Sequence, residues 1–417
     1  MAGEIALRTT LNRTTVQAMP TQQKVYLLIE VQPTGAGVAV RMPLNFGLVL
    51  DRSGSMAGAK INNLRAAVKL LLGQLGPQDM VSLVVFDDKV DLLFPSQPVT
   101  DVARLQTAVE SITDRGGTTM SKGMRSGLGE LRKSMGPDKV SRILLLTDGE
   151  TYGDEEQCKQ IAAECGQAGI PISAFGLGEE WNAELLDTIA QNSGGLSNFL
   201  ETPDKIASEF QQTMQAAQNT VATNASLTLR LVAGVTPVAA WRVLPQITRM
   251  DARNLSDRDI QIFLGELERN TGQALLVELV VQPKAAGSYR IAQADVMYDI
   301  PAQGLTGDHA RQDVMLSLTS DPAQVTAQQA DVMNLVEKVS AFKLYTRALT
   351  EAQAGNIAGA TQKLQTAATR LLDMGEAGLA QVAQDEADNL QKQGAMSALG
   401  TKKLQYGTRK LTQRLDD

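Results

Sequence analysis

Four short stretches of this chain are apolar on both sides of any strand they could form: GLVL (47–50), VSLVVF (81–86), ILLLT (143–147) and IPISAFGLG (170–178). A strand without a polar face must be covered above and below. Amphipathic segments lie between these runs, among them KINNLRAAVKLLLGQL (60–75), VARLQTAVESI (102–112) and AELLDTIAQNSGG (183–195). Doubly buried strands alternating with helices define an α/β domain with a doubly wound, mostly parallel sheet, here over residues 44–220. Gly76-Pro77, Gly136-Pro137 and Gly169-Ile170-Pro171 interrupt it where turns belong.

The hydrophobic period changes on either side of that domain. Leu227, Leu229 and Leu231 alternate with polar residues, as do Leu275, Val277, Leu279 and Val281, then Val314, Leu316 and Leu318. A period of two marks half-buried antiparallel strands, hence a β-sandwich over residues 221–319. Val25, Leu27, Ile29 and Val31 alternate in the same way. An isolated strand pair is not stable alone. Residues 1–43 are therefore expected to supply the N-terminal strands of the same sandwich, which makes the α/β domain an insertion.

Residues 323–393 carry Val332, Val336, Val339, Phe342, Tyr345 and Leu349 at helical steps, and Gly355 and Gly375 predict breaks. The expectation is a C-terminal bundle of three helices packed on the sandwich. One fragment, YTRALTEAQAGNIAGATQKLQTA, resembles a single tetratricopeptide-like hairpin with no second copy. Residues 394–417 lose periodicity and turn basic, so a flexible tail is expected there.

Composition removes several function classes. The net charge is -7 and no basic stretch precedes the extreme C-terminus, which argues against nucleic-acid binding through phosphate contacts. Aromatics make up 4% of the chain, too few for base-stacking platforms. No apolar run reaches the length that crosses a membrane, and the N-terminal residues lack the apolar core of a secretory signal. Cys158 and Cys165 fall about 10 Å apart on one predicted helix, too far for a disulfide. Reduced packing cysteines fit a cytoplasmic protein. The chain has 1 histidine, His309, so His-based zinc sites and Ser-His-Asp triads are excluded by inventory.

What remains is a set of oxygen-bearing residues at strand ends. Asp51, Ser53 and Ser55 follow the first buried strand in LNFGLVLDRSGSM, and Asp148 follows another in ILLLTDGE. Thr118 and Thr119 sit in DRGGTTMSKG, a glycine-flexed loop that opens a helix. Loops after the carboxyl ends of parallel strands converge on one rim, where ligands bind. Oxygen donors without His or Cys favour a hard divalent cation, Mg²⁺ or Mn²⁺. Two carboxylates neutralise such an ion, and neutral hydroxyls leave it electrophilic enough to take water or a partner's acidic side chain.

DRSGSM, the threonine of GGTT and the aspartate of TDGE resemble the metal-ion-dependent adhesion site of von Willebrand factor A domains. The resemblance covers about residues 43–220. It implies direct ligation by Ser53 and Ser55 with Thr118 as third hydroxyl, and Asp51 and Asp148 acting mainly through bound waters. It also implies a non-enzymatic binding or scaffold protein whose metal captures an Asp or Glu of a protein partner. The inserted layout is similar to intracellular bacterial members and to inter-alpha-trypsin inhibitor heavy chains.

Other readings compete. GLVLDRS resembles the nucleophile loop of haloacid-dehalogenase-like phosphatases, but the position where those need a second carboxylate holds Ser53, which cannot serve as acid or base near neutral pH. Ser and Asp after strands also simply cap helices. GAGVAV (35–40) lacks the third glycine of a dinucleotide loop, and Asp87 and Asp88 fit an edge hairpin better than a metal. Some A-domain proteins are accessory subunits of AAA-type, chelatase-like ATPases, although no motor-binding element is visible here. In the tail, Thr401, Thr408 and Thr412 lie among Lys402, Lys403, Arg409 and Lys410. A Ser/Thr kinase that reads positive charge would phosphorylate them, and a phosphopeptide-binding, FHA-type domain would then dock there.

Overall fold

A computed structural model describes residues 4–34, 41–136 and 138–416, with side chains as far as residue 413; the GAGVAV stretch lies outside the described residues. The chain divides into two compact units. Residues 40–220 form one, and residues 1–39 together with 221–417 form the other. The second unit begins with β1 (Ile5–Leu11), β2 (Thr15–Gln17) and β3 (Gln23–Pro33).

The inserted unit contains β4 (Leu44–Asp51), α1 (Ala59–Leu72), β5 (Met80–Phe86), β6 (Val90–Pro98), α2 (Val102–Glu110) and α3 (Met120–Lys133). It continues with β7 (Val140–Thr147), α4 (Glu155–Gln167), β8 (Ile172–Leu177), α5 (Ala183–Ser193), β9 (Ser197–Leu200) and α6 (Ile206–Gln218). The sheet order is β6-β5-β4-β7-β8-β9, and only the β5–β6 hairpin is antiparallel. Each residue of β4, β7 and β8 is buried, as unbroken apolar runs require. Leu48 and Leu50 pack with α1, α2 and α6 on one face. On the other, Gly123 and Gly127 let α3 lie flat on the sheet: a Cβ at 127 would come within 2.4 Å of Val49, and one at 123 within 2.7 Å of Phe86.

The other unit resumes with β10 (Thr220–Leu231), β11 (Val235–Leu244), β12 (Thr248–Met250) and β13 (Ala252–Asn254). Then come β14 (Asp259–Glu268), β15 (Gln273–Val281), β16 (Gly287–Ile300) and β17 (Leu305–Thr319). A five-stranded sheet, β1-β3-β15-β11-β12, faces a six-stranded sheet, β13-β14-β10-β16-β17-β2. The N-terminal strand β3 lies between β1 and β15, with Leu27 opposite Val277 and Ile29 opposite Leu275. The alternating residues of β3, β10, β15 and β17 meet between the sheets in one apolar core.

Four helices follow: α7 (Ala330–Gln353), α8 (Ile357–Asp373), α9 (Ala377–Gln393) and α10 (Ala398–Arg409). They cover the outer face of the five-stranded sheet, where Leu28, Trp241, Val243 and Leu276 join Val332, Val339, Phe342 and Leu364. Gly355 and Gly375 close the first two helices in the left-handed region, at φ 79° and 80°.

Two expectations are corrected here. The helical part has four helices rather than three, and the tail is folded rather than flexible. Ser397 starts α10 by accepting the Gly400 amide at 2.9 Å, and the buried Glu386 of α9 accepts both the amide and the hydroxyl of Ser397 at 2.6 Å. Tyr345 donates to the Thr401 carbonyl at 2.8 Å. Leu404, Tyr406 and Leu411 are buried. Thr408 and Thr412 are 0% exposed, and Thr401 is half-buried within the helix, so these hydroxyls are not displayed on a loose basic tail. Lys402 hid the helical period, because it is buried in the packed helix yet its charge reads as solvent in the sequence. We predict that Leu404→Ala lowers unfolding free energy by about 2–5 kcal/mol in chemical denaturation; a change near zero would indicate a dispensable tail.

Candidate metal site at the sheet rim

Parallel pairing of β4 with β7 sets Leu50 beside Leu146, so Asp51 and Thr147 end their strands at the same level. The Thr147 hydroxyl donates to Asp51 Oδ2 at 2.6 Å, and the Ser53 amide donates to Oδ1 at 2.7 Å. Asp51 is 0% exposed, and burial pushes its carboxyl up to about 6, against these hydrogen bonds and with the negative Asp148 nearby adding to the rise. The carboxylate has neutral donors and no cationic side chain among these contacts.

The chain then makes a short turn (Gly54–Met56) before α1, so that Ser53 is buried and Ser55 lies at the surface. Their hydroxyl oxygens are 3.0 Å apart, and Ser55 donates to Asp148 Oδ1 at 2.6 Å. Asp148 is itself 1% exposed. Its other oxygen accepts from Lys60 in the first turn of α1. Gly149 fixes the place of Thr118: a Cβ built there would lie 3.7 Å from the Ser55 hydroxyl and 3.8 Å from that of Thr118. Asp51, Ser53, Ser55, Asp148 and Thr118 thus gather at one point of the rim. Thr119 instead caps α3, without a side-chain hydrogen bond to that helix.

The loop after β7 also secures the start of α3. Asp154 accepts the Ser121 amide at 2.8 Å, and Thr151 donates to the Thr118 carbonyl at 3.3 Å. Asp87 accepts the Lys89 amide at 2.7 Å, the hairpin role its sequence indicates. Sequence reasoning missed Thr147 and Lys60. Thr147 reads as the last residue of an apolar strand, and Lys60 as a solvated helix start; only the fold brings them to the two aspartates. The donor set fits a hard divalent cation: two buried carboxylates, three neutral hydroxyls, no nitrogen or sulfur. Among the described residues no group of three or more His, Cys, Asp or Glu side chains is placed to hold a metal, so a cation at this rim depends on the hydroxyls.

A six-stranded, doubly wound sheet with this order and these rim loops is that of a von Willebrand factor type A domain, and the model of that family matches residues 45–216. The chain belongs to the Sll0103-like proteins that carry this domain: the model "Sll0103-like, C-terminal alpha-helical domain" matches residues 330–414. The Synechocystis sp. protein sll0103 is 31% identical over 343 residues, covering 79% of this chain and 78% of that protein. Human inter-alpha-trypsin inhibitor heavy chain H4 is 28% identical over 193 residues, and the match spans 44% of this chain but only 21% of the heavy chain. Among solved structures, a von Willebrand factor type A protein from Catenulispora acidiphila shares the fold at a TM-score of 0.79 and 15% identity, over 98% of this chain and 96% of that one. The ArnB paralog VWA2 from Sulfolobus acidocaldarius does so at 0.55 and 13% identity, over 98% and 99%. Among the described residues no helix is long and apolar enough to cross a membrane.

Lys60 supplies the positive charge on a buried carboxylate, and its own side chain is 31% exposed. We predict that Lys60→Met lowers stability in EDTA by about 1–3 kcal/mol, less than for a fully buried pair because solvent screens the lysine. Added Mg²⁺ should recover most of the loss in a thermal melt; an equal deficit with and without Mg²⁺ would refute the assignment.

Proposed function

We propose that this chain is a non-enzymatic binding protein whose rim site holds Mg²⁺ or Mn²⁺ and takes an Asp or Glu side chain of a protein partner. The observation that carries the reading is the convergence of Ser53, Ser55 and Thr118 with two buried aspartates. Asp51 and Asp148 supply two negative charges, one of them answered by Lys60, and the three hydroxyls add none, so a divalent ion held here would stay electrophilic. A bound cation would supply a Lewis-acidic point that an incoming carboxylate can complete. The exposed Ser55 keeps that point open to solvent, whereas Asp51 beneath it is closed off. Thr147 and the Ser53 amide hold the Asp51 carboxylate in one orientation.

The phosphatase alternative gains no support from these contacts. Ser53 occupies the place where that chemistry needs an acid, and its hydroxyl faces Ser55 at 3.0 Å. Metal-dependent protein binding is a common property of von Willebrand factor A domains, which favours the binding reading over a catalytic one. The remaining unit would present the site and add contacts of its own.

Affinity capture from source lysate with Mg²⁺ and with EDTA in parallel tests the reading. Partner recovery should require the metal and vanish in Ser53→Ala and Asp51→Ala, with circular dichroism spectra unchanged. Recovery indifferent to EDTA and to both substitutions would sink it, and turnover of a general phosphatase substrate would revive the enzyme alternative.

A further inference from the structure

Thr118 lies in the stretch between α2 and α3, with no strand or helix to fix it. Its neighbours are tied to the Ser53–Ser55 loop by two backbone bonds: Arg115 donates to the Arg52 carbonyl at 2.8 Å, and Gly54 donates to the Gly116 carbonyl at 3.1 Å. A third runs from Thr119 to the Asp87 carbonyl at 3.0 Å, beyond the end of β5. Around them four side chains close a ring. Arg52 donates to Asp87 Oδ2 at 2.7 Å and to Asp91 Oδ2 at 2.5 Å; Arg115 donates to the same two oxygens at 2.9 and 2.8 Å.

The position of Arg52 is informative. It stands between Asp51 and Ser53 in sequence, yet its guanidinium is committed to Asp87 and Asp91, with a side chain 4% exposed. Arg115 and Asp91 are about half exposed, at 51% and 45%. Two arginines and two aspartates sum to zero charge, so the ring neither repels nor competes for a cation. A planar guanidinium with fixed donor directions holds geometry that a point charge cannot. Gly116 holds φ 71°, a backbone region that favours glycine, and the exposed Asp88 carboxylate lies close beside Gly116 and Gly117.

We propose that the Arg52–Asp87–Arg115–Asp91 ring is a clamp that presses the Thr118 loop onto the Ser53–Ser55 loop, with Arg115 as the positioning residue that sets the affinity of the rim for a divalent cation. The inference rests on the metal-site reading above and adds to it a group that touches no ligand. Groups that orient metal ligands from outside change affinity by about 10- to 100-fold when removed. Arg115 is suited to the test because half-exposed ion pairs contribute little to stability.

Mn²⁺ binding to the full chain, by titration calorimetry and by electron paramagnetic resonance of the free ion, tests it alongside melting in EDTA. Arg115→Ala should raise the Mn²⁺ dissociation constant about 10-fold while leaving the metal-free melting temperature close to that of wild type. Arg115→Lys should recover part of the loss. Asp91→Ala should match Arg115→Ala, with the double variant no worse than either. Arg104→Ala, an exposed arginine in α2, should change nothing. Wild-type affinity in Arg115→Ala overturns the clamp, and so does an equal fall in the metal-free melting temperature, which would mark a merely structural role. If wild type binds no Mn²⁺, or Ser53→Ala binds it as wild type does, the metal-site reading fails first and the clamp falls with it. Loss in Ser53→Ala with none in Arg115→Ala removes the clamp alone.

Discussion

A carboxylate taken out of water needs compensation, and Asp51 at the end of β4 receives it only from neutral donors. The Thr147 hydroxyl and the Ser53 amide satisfy its two oxygens as hydrogen-bond acceptors but leave its charge uncancelled, which is why burial raises its pKa. That deficit depends on the register of two parallel strands, because Thr147 meets Asp51 only if β4 and β7 end together. Asp148 adds a second buried carboxylate at the next residue, and the lysine of α1 answers only that one. One buried negative charge at the rim is left without a cationic side chain among its contacts, and the nearby hydroxyls add oxygen atoms without adding charge. Much of the domain can be read as the means of holding this imbalance in place: glycines that seat α3, a loop stitched to the β7 end by Thr151 and Asp154, and a turn that points Ser55 outward.

Most of the fold was legible because hydrophobic period reports burial directly. GLVL and ILLLT have no polar face, and β4 and β7 are covered on both sides. Leu275, Val277 and Leu279 alternate and do point into the sandwich core. The same pattern misled in detail: Leu276, between them, is also buried, because the helices cover the other face of β15. Sequence showed a one-sided sheet where the protein has a two-sided one. That Asp51, Ser53, Ser55, Thr118 and Asp148 would meet at one rim was legible for a similar reason, since chain topology brings strand ends together. Thr147, Lys60, Arg52 and Arg115 were not. Their roles depend on which carboxylate they reach across the rim, and side-chain reach leaves no local pattern. The end of the chain failed differently, because Lys402, Thr408 and Thr412 are buried residues with polar names.

The five-stranded sheet gives the second unit an architecture of three layers: six strands, five strands, then helices. Glu278 shows how tightly the last two layers are joined. It is a buried carboxylate on β15, and it accepts from Trp241 of β11 at 3.1 Å and from Lys343 of α7 at 2.7 Å. The helical part is therefore bound to the sheet by polar contacts as well as apolar ones, which accords with its carrying a family signature of its own.

The placement of β3 has a consequence for the order of events at the ribosome. Val25 pairs with Leu279 and Leu28 with Leu276, so a strand that precedes the inserted domain in the chain is completed by one that follows it. Synthesis runs from the N-terminus, and compact domains fold as units. The inserted domain is thus made before β15 exists, when β3 has β1 beside it but not its later neighbour, and a two-stranded ribbon is barely stable in water. During that interval the β3 edge that later receives β15 has no partner, and it carries the apolar residues Val25, Leu27 and Ile29. Open strand edges of this kind recruit other chains. For this architecture the hazardous moment in the protein's life is a period of nascent-chain exposure, set by the length of the insertion rather than by the stability of the finished molecule.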